Sequence, residues 1–161
     1  MKLTKEEQLE LRRLLGALPN TLEAARMRLF RQHGKSTTFK HVMGVVCMSF
    51  YLNRRLRLGA DEKALVQGAF LHDFYLYDWH DDDAPKKRHG FRHPARALEN
   101  AQRLYTLTPV EANIIESHMW PLTLRKLPRS REAAIVCLTD KICALLEFCR
   151  VQPGGKLALA V

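Results

Sequence analysis

The stretch Gly68-Ala69-Phe70-Leu71-His72-Asp73 joins an apolar run to two side chains that can bind metal ions. Asp61 is a typical helix N-cap residue. The apolar residues after it recur at helical spacing, at Ala64, Leu65, Ala69 and Phe70. This pattern predicts a helix that begins after Asp61 and ends close to His72. At such a helix end, the side chains of His72 and Asp73 can both turn towards one metal ion.

Other segments carry helix signals of the same kind, with capping residues at their starts and apolar residues at helical spacing. The predicted helices run from Thr4 to Pro19, from Asn20 to Gln32, from Ser36–Thr38 to Arg57, from His93 to Tyr105, from Thr108 to His118 and from Ser130 to Arg150. No segment combines β alternation with a hairpin turn. The sequence therefore predicts an all-α bundle of about six to seven helices, with a long polar loop from Tyr75 to Arg92.

The chain has 161 residues, a length that suits one compact domain rather than two. Apolar residues make up 47% and charged residues 27% of the chain, which excludes a disordered or fibrous protein. We expect the domain to span residues 1–150, followed by a loosely held tail over residues 151–161. No apolar run approaches the ~20 residues of a membrane-spanning helix, and the first residues lack the apolar core of a secretory signal. We therefore expect a cytoplasmic protein without membrane contact.

The net charge of +9 is distributed unevenly. Lys and Arg number 12 against 4 Asp and Glu in residues 1–60, 7 against 10 in residues 61–120, and 7 against 3 in residues 121–161. Basic flanks around an acidic, histidine-containing centre suit a small anionic substrate that reaches a metal site. We do not expect a nucleic-acid partner, because no basic run is interleaved with aromatic residues.

Two further residues give the His72-Asp73 pair its context. His41 lies 31 positions upstream in the first turns of a predicted helix, and Asp140 lies far downstream after an apolar helical run. This order of residues, H…HD…D, resembles the HD superfamily of metal-dependent phosphohydrolases. The resemblance extends from about Gln32 to Glu147.

The resemblance also implies how metal ions would be bound. His93 and His118 lie between the HD pair and Asp140, where members with two metals place two further histidines. By this correspondence, the first metal would be held by His41, His72, Asp73 and Asp140. Asp73 would bridge to a second metal, held by His93 and His118. Imidazole and carboxylate ligands suit Mn, Fe, Co, Ni or Zn better than Mg.

The implied activity is hydrolysis of a phosphate ester or anhydride in a small anionic, nucleotide-like molecule, with a metal-activated hydroxide as the nucleophile. Asp73 would take part as the bridging ligand. His33 could contact a phosphate or only cap a helix, and Lys141 could contact a phosphate or be a plain surface cation. The glycine-tyrosine-proline signature of the cyclic dinucleotide branch does not follow His118, so we do not assign that substrate class.

Two other classes of function remain open from the sequence. Six ligands of this kind also resemble those of di-iron oxygenases with the HD fold, and a catalytically silent nucleotide-binding module is the third alternative. The sequence leaves the substrate, the native metal and the oligomeric state open, and a homo-oligomer is compatible with it.

Overall fold

The computed structural model describes residues 2–32, 36–77 and 89–149. Within these residues the chain forms seven α-helices, a short 3-10 helix at Leu18–Asn20 and no strand beyond an isolated antiparallel bridge between Arg31 and Thr37. The helices are α1 (Lys5–Leu15), α2 (Leu22–Met27), α3 (Thr38–Arg55), α4 (Glu62–Leu71), α5 (His89–Leu104), α6 (Pro109–Ser117) and α7 (Arg131–Phe148). The predicted all-α class is confirmed. No helix in this part of the chain is long and apolar enough to span a membrane. The tail over residues 151–161 lies outside the described residues.

Most helix starts follow the capping residues seen in the sequence. Thr4 with Glu7 and Thr108 with Glu111 form complete capping boxes. The side chains of Asp61 and Ser130 accept hydrogen bonds from the first turns of α4 and α7. These contacts satisfy backbone N–H groups that a helix start would leave unpaired.

The second predicted helix is wrong at both ends. Its N-cap is Thr21 rather than Asn20, because Asn20 belongs to the preceding 3-10 turn, and it ends at Met27 rather than at Gln32. The chain then turns back on itself, since the Gln32 amide donates to the Ser36 carbonyl over 2.9 Å. The turn directs the buried Gln32 side chain onto Asp73, an interaction that a continued helix would not provide.

The start of the fifth helix also differs from the prediction. Helix α5 begins at His89, so Pro94 is an interior residue and residues 89–92 are helical rather than part of the predicted loop. Pro94 cannot donate a hydrogen bond to the carbonyl of Gly90, four residues earlier. The helix continues past Pro94. Its inward face is buried on both sides of this residue, with buried side chains at His93, Pro94, Ala97 and Ala101. Residues 78–88 of the predicted loop lie outside the described residues.

Helices α4 and α6 pack closely where Gly68 meets Ile114. A Cβ atom added at Gly68 would lie 2.4 Å from Cδ1 and 3.1 Å from Cβ of Ile114. One helical turn beyond this contact, α4 reaches His72 and α6 reaches His118, and the two imidazole rings lie 4.9 Å apart between centroids. The missing side chain at Gly68 therefore allows the two helix ends to meet.

We expect Gly68→Ala to lower the free energy of unfolding by about 1 kcal/mol. Overpacking costs about 1–3 kcal/mol, which exceeds the ~1 kcal/mol that alanine gains over glycine in a helix. Ile114 is fully buried and β-branched, so it cannot easily move aside. Urea unfolding followed by circular dichroism measures the loss. Ile114→Val removes Cδ1, so the double variant should lose less than the sum of the two single losses. Strict additivity would contradict the proposed contact.

Candidate metal centre

The structure brings all six predicted ligands to one place in the core. His41 lies in the first turns of α3, His72 and Asp73 follow the end of α4, His93 lies in the second turn of α5, His118 follows α6, and Asp140 lies in the middle of α7. Each of these side chains is buried. Five helices thus contribute to a single polar cluster inside an otherwise apolar interior.

Three of these residues form a group that we call the first triad: His41, His72 and Asp140. Their potential ligand atoms all lie within 4.8 Å of one another. Asp140 Oδ1 is 3.0 Å from Nε2 of His41 and 3.5 Å from Nε2 of His72. Two imidazole nitrogens and a carboxylate oxygen therefore converge on one point.

The other three residues form the second triad: Asp73, His93 and His118. Their potential ligand atoms also lie within 4.8 Å of one another. The Nε2 atoms of His93 and His118 are 2.7 Å apart, and Asp73 Oδ1 is 3.2 Å from the first and 3.5 Å from the second. Two ring nitrogens at this distance can share one proton or bind one cation.

The carboxylate of Asp73 lies between the two triads. Its Oδ1 atom faces His93 and His118, while its Oδ2 atom lies 3.6 Å from Nε2 of His72 and 3.9 Å from Nε2 of His41. One oxygen is thus directed to each triad. This is the placement that a bridging carboxylate requires.

The outer ring nitrogens of three histidines are held by other groups. The Nδ1 atoms of His72 and His118 lie 2.7 Å and 2.8 Å from the carbonyl oxygens of Ala69 and Ile115. A carbonyl can only accept, so each Nδ1 carries the proton and each Nε2 keeps a lone pair directed into the cluster. Nδ1 of His41 lies 3.2 Å from Oε2 of Glu147.

Two observations fit a pair of divalent cations in this cluster: buried atoms without a hydrogen-bond partner, and the types of residue present. Among the described residues, Nε2 of His72 and Oδ1 of Asp73 are buried without a hydrogen-bond partner. Buried polar atoms are normally paired, so two such atoms in one cluster indicate a missing partner. Imidazole nitrogen and carboxylate oxygen are suitable ligands for first-row transition metals.

The electrostatics of the cluster favour positive charge. Burial alone would lower the pKa of His41, but its contacts with Asp140 and Glu147 outweigh burial and raise the pKa to about 10. Burial would raise the pKa of Asp73, yet His72, His93 and His118 hold it well below the usual range. Burial and the neighbouring histidines lower the pKa of His118 to about 3, so its imidazole is neutral near pH 7. The carboxylates therefore remain ionised and hold positive charge beside them.

Two supporting residues were not predicted from the sequence. Glu147 lies seven positions after Asp140 on α7, a spacing that places both on one helix face and could have indicated the contact with His41. Gln32 donates through Nε2 to Asp73 Oδ2 over 2.6 Å, and its own Oε1 accepts from the hydroxyl of Tyr75. No spacing or motif signals the role of Gln32, because the contact depends on the turn between α2 and α3.

The two remaining predicted site residues have different outcomes. For Lys141, where the sequence left a phosphate contact or a plain surface cation open, the phosphate contact stays a prediction. Its ammonium group donates to the carbonyls of His118 and Cys137 over 2.7 Å and 3.0 Å, with Cys137 Sγ 3.3 Å away. Three acceptors occupy its three protons, and Lys141 joins the end of α6 to α7. His33 lies outside the described residues.

Comparison with known proteins gives one match. A family model described as the HD domain matches residues 38–145, more than half of the chain, and this range contains both triads. No curated protein and no solved structure matches the chain. The match agrees with the resemblance drawn from the sequence. Gln32 and Glu147 both lie just outside the matched range.

We expect Gln32→Ala to weaken divalent metal binding by about 10–100-fold, the usual cost of removing a group that orients a ligand. The variant loses the donor that fixes the Asp73 carboxylate. Titration with Mn²⁺ or Co²⁺ after chelation measures the change. Gln67→Ala is the matched control, because Gln67 donates a comparable hydrogen bond to the carbonyl of Leu14. Equal metal affinity in both variants would contradict the assigned role of Gln32.

Proposed function

Because the chain belongs to the HD-domain family, we propose that it is a metal-dependent phosphohydrolase. Its substrate would be a small anionic, nucleotide-like molecule, and the bond cleaved would be a phosphate ester or anhydride. The family consists largely of metal-dependent phosphohydrolases, which supports this reaction class. The buried His and Asp residues of this chain are compatible with metal binding.

The observation that carries the proposal is the position of Asp73. Its two carboxylate oxygens face different triads, so one side chain would serve two cations. In this arrangement His41, His72 and Asp140 would hold one cation, and His93 and His118 would hold the other. When bound, paired divalent cations supply Lewis acidity that lowers the pKa of water and neutralises charge on a phosphoryl group.

The ligand set itself favours an anionic substrate. With a metal ion in place of the proton on His41, four neutral imidazoles and two carboxylates would contribute only two negative charges, which do not balance the four positive charges of two divalent cations. The burial of both triads keeps bulk water from screening the remaining charge. A phosphate group, which carries up to about two negative charges near neutral pH, meets this charge requirement.

The chain's own residues also keep the ligands in place. Backbone carbonyls of α4 and α6 hold the proton on Nδ1 of His72 and His118. Glu147 orients His41, and Gln32 fixes the rotation of the Asp73 carboxylate. Preorganisation of this kind removes the need to reorder ligands when the substrate arrives.

Metal stoichiometry tests the two-cation arrangement. We expect protein purified without chelator to contain two metal equivalents, and the His93→Ala/His118→Ala variant to retain one. Asp73→Ala should lose more metal than any other single change, because that residue would serve both cations. Elemental analysis of folded, monodisperse protein gives the count. An unchanged metal content in the double variant would show that both histidines are structural.

Activity with different metals tests the reaction class. After chelation, we expect Mn²⁺, Co²⁺, Ni²⁺ or Fe²⁺ to restore hydrolysis in a panel of phosphatase and phosphodiesterase substrates. Mg²⁺ should restore it poorly, because this ion prefers oxygen ligands to imidazole nitrogen. Full activity with Mg²⁺ alone would contradict the proposed ligand set. Iron as the only bound metal, with oxygen uptake and no hydrolysis, would instead support the di-iron oxygenase alternative.

A further inference from the structure

A cleft of about 430 Å³ lies between α2 and α5, and one of its lining residues, Tyr75, neighbours His93 of the second triad. We call it the arginine pocket and define it by six of its lining residues: Arg26, Arg96, Arg103, Glu23, Tyr75 and Tyr77. Three arginines and one glutamate give these residues a net charge of +2. Neither triad contributes a lining residue, so the pocket is distinct from the proposed metal sites.

Two segments that line the pocket follow residues of the second triad in the sequence. Tyr75 and Tyr77 lie two and four positions after Asp73 in the chain, and the ring of Tyr75 lies 5.8 Å from the ring of His93. On α5, the pocket residues Arg96, Asn100 and Arg103 follow His93 at intervals of three, four and three residues. This spacing places them in a row beside His93, along the edge of the buried face of α5.

The helix geometry also gives the distances of two pocket arginines from His93. At the rise of an α-helix, Arg96 and Arg103 lie about 5 Å and about 15 Å beyond His93 along the helix axis. The part of the lining that α5 supplies therefore runs from about 5 Å to about 15 Å beyond His93. Burial raises the pKa of Tyr77, Arg96 lowers it and Asp73 raises it. The Tyr77 phenol is therefore within electrostatic range of an arginine of the pocket and of a proposed metal ligand.

The arginines are available for a ligand. Among the described residues, Arg26 and Arg103 have no ion-pair partner, and Arg96 makes a 3.3 Å contact with Glu99 between two side chains that are both more than half exposed. An exposed ion pair of this kind contributes little to stability, so Arg96 can exchange Glu99 for an anionic ligand at little cost. Guanidinium groups bind phosphate oxygens in a bidentate manner.

We propose that the arginine pocket binds a second phosphate group of the substrate, beyond the one that is cleaved. This inference rests on the proposed function and narrows its substrate class to small molecules with two separated phosphate groups. A simple monophosphate could occupy the metal centre only. A molecule with a second phosphate would span the centre and the pocket.

Two alkyl phosphonates test this inference by binding alone, because their carbon–phosphorus bonds resist hydrolysis. Butane-1,4-diphosphonate carries two anionic groups and butylphosphonate carries one. We expect protein purified without chelator to bind the diphosphonate at least tenfold more tightly in isothermal titration calorimetry. Equal affinity for the two compounds, or no binding of the diphosphonate, would overturn the proposal.

Variants test whether the arginine pocket causes the preference for the diphosphonate. Arg96→Gln/Arg103→Gln should abolish the preference for the diphosphonate and leave butylphosphonate affinity within twofold. Glu23→Gln should shift the diphosphonate affinity in the opposite direction, tightening it about twofold to fivefold, because it removes the one negative charge of the lining. Arg12→Gln is the charge control, since Arg12 is an exposed arginine on α1 and should have no effect. A preference that persists in the double variant would overturn the proposal.

The same measurements separate this inference from the proposed function. Hydrolysis of monophosphate substrates with equal phosphonate affinities would support the phosphohydrolase and exclude the pocket as a phosphate site. A diphosphonate preference that depends on Arg96 and Arg103, without any hydrolysis, would support the pocket and contradict the phosphohydrolase.

Discussion

The burial of two carboxylates in the core is the constraint on which the rest of the structure depends. Asp73 and Asp140 lie among apolar helices, where an unpaired negative charge would cost several kcal/mol. The fold therefore has to place positive charge beside them, as protons on imidazoles or as cations. Helices α3, α4, α5 and α6 each supply one histidine to this balance, so the stability of the core and the capacity to bind metal have the same origin.

The ends of α4 and α6 place a histidine beside the buried carboxylates in the same way. The two helices pack together at Gly68 and Ile114, and each carries a histidine four residues later. Each histidine donates from Nδ1 to the carbonyl three residues before it, which satisfies a carbonyl that a helix end leaves unpaired. A single imidazole thus caps the helix and directs a lone pair into the cluster.

Sequence reasoning was most successful where the signal is local or follows a family pattern. The caps at Thr4, Asp61, Thr108 and Ser130 are local, and they were predicted correctly. The six clustered residues came from the family pattern, and their metal binding stays a prediction. The Asn20 cap was a local error, because the neighbouring Thr21 caps α2 instead. The other features that the sequence did not predict concern tertiary packing. The interior position of Pro94 depends on a continuous buried face, and the contacts of Gln32 and Lys141 depend on elements that are distant in the chain.

The wide spacing of the ligands has a consequence for protein synthesis. His41 and Asp140 are 99 positions apart, which corresponds to roughly 5–20 s of translation at about 5–20 residues per second. All members of the second triad, by contrast, lie between Asp73 and His118. The ribosome therefore completes the ligands of the second triad before it adds Asp140, and the two halves of the centre are available to metal ions at different times.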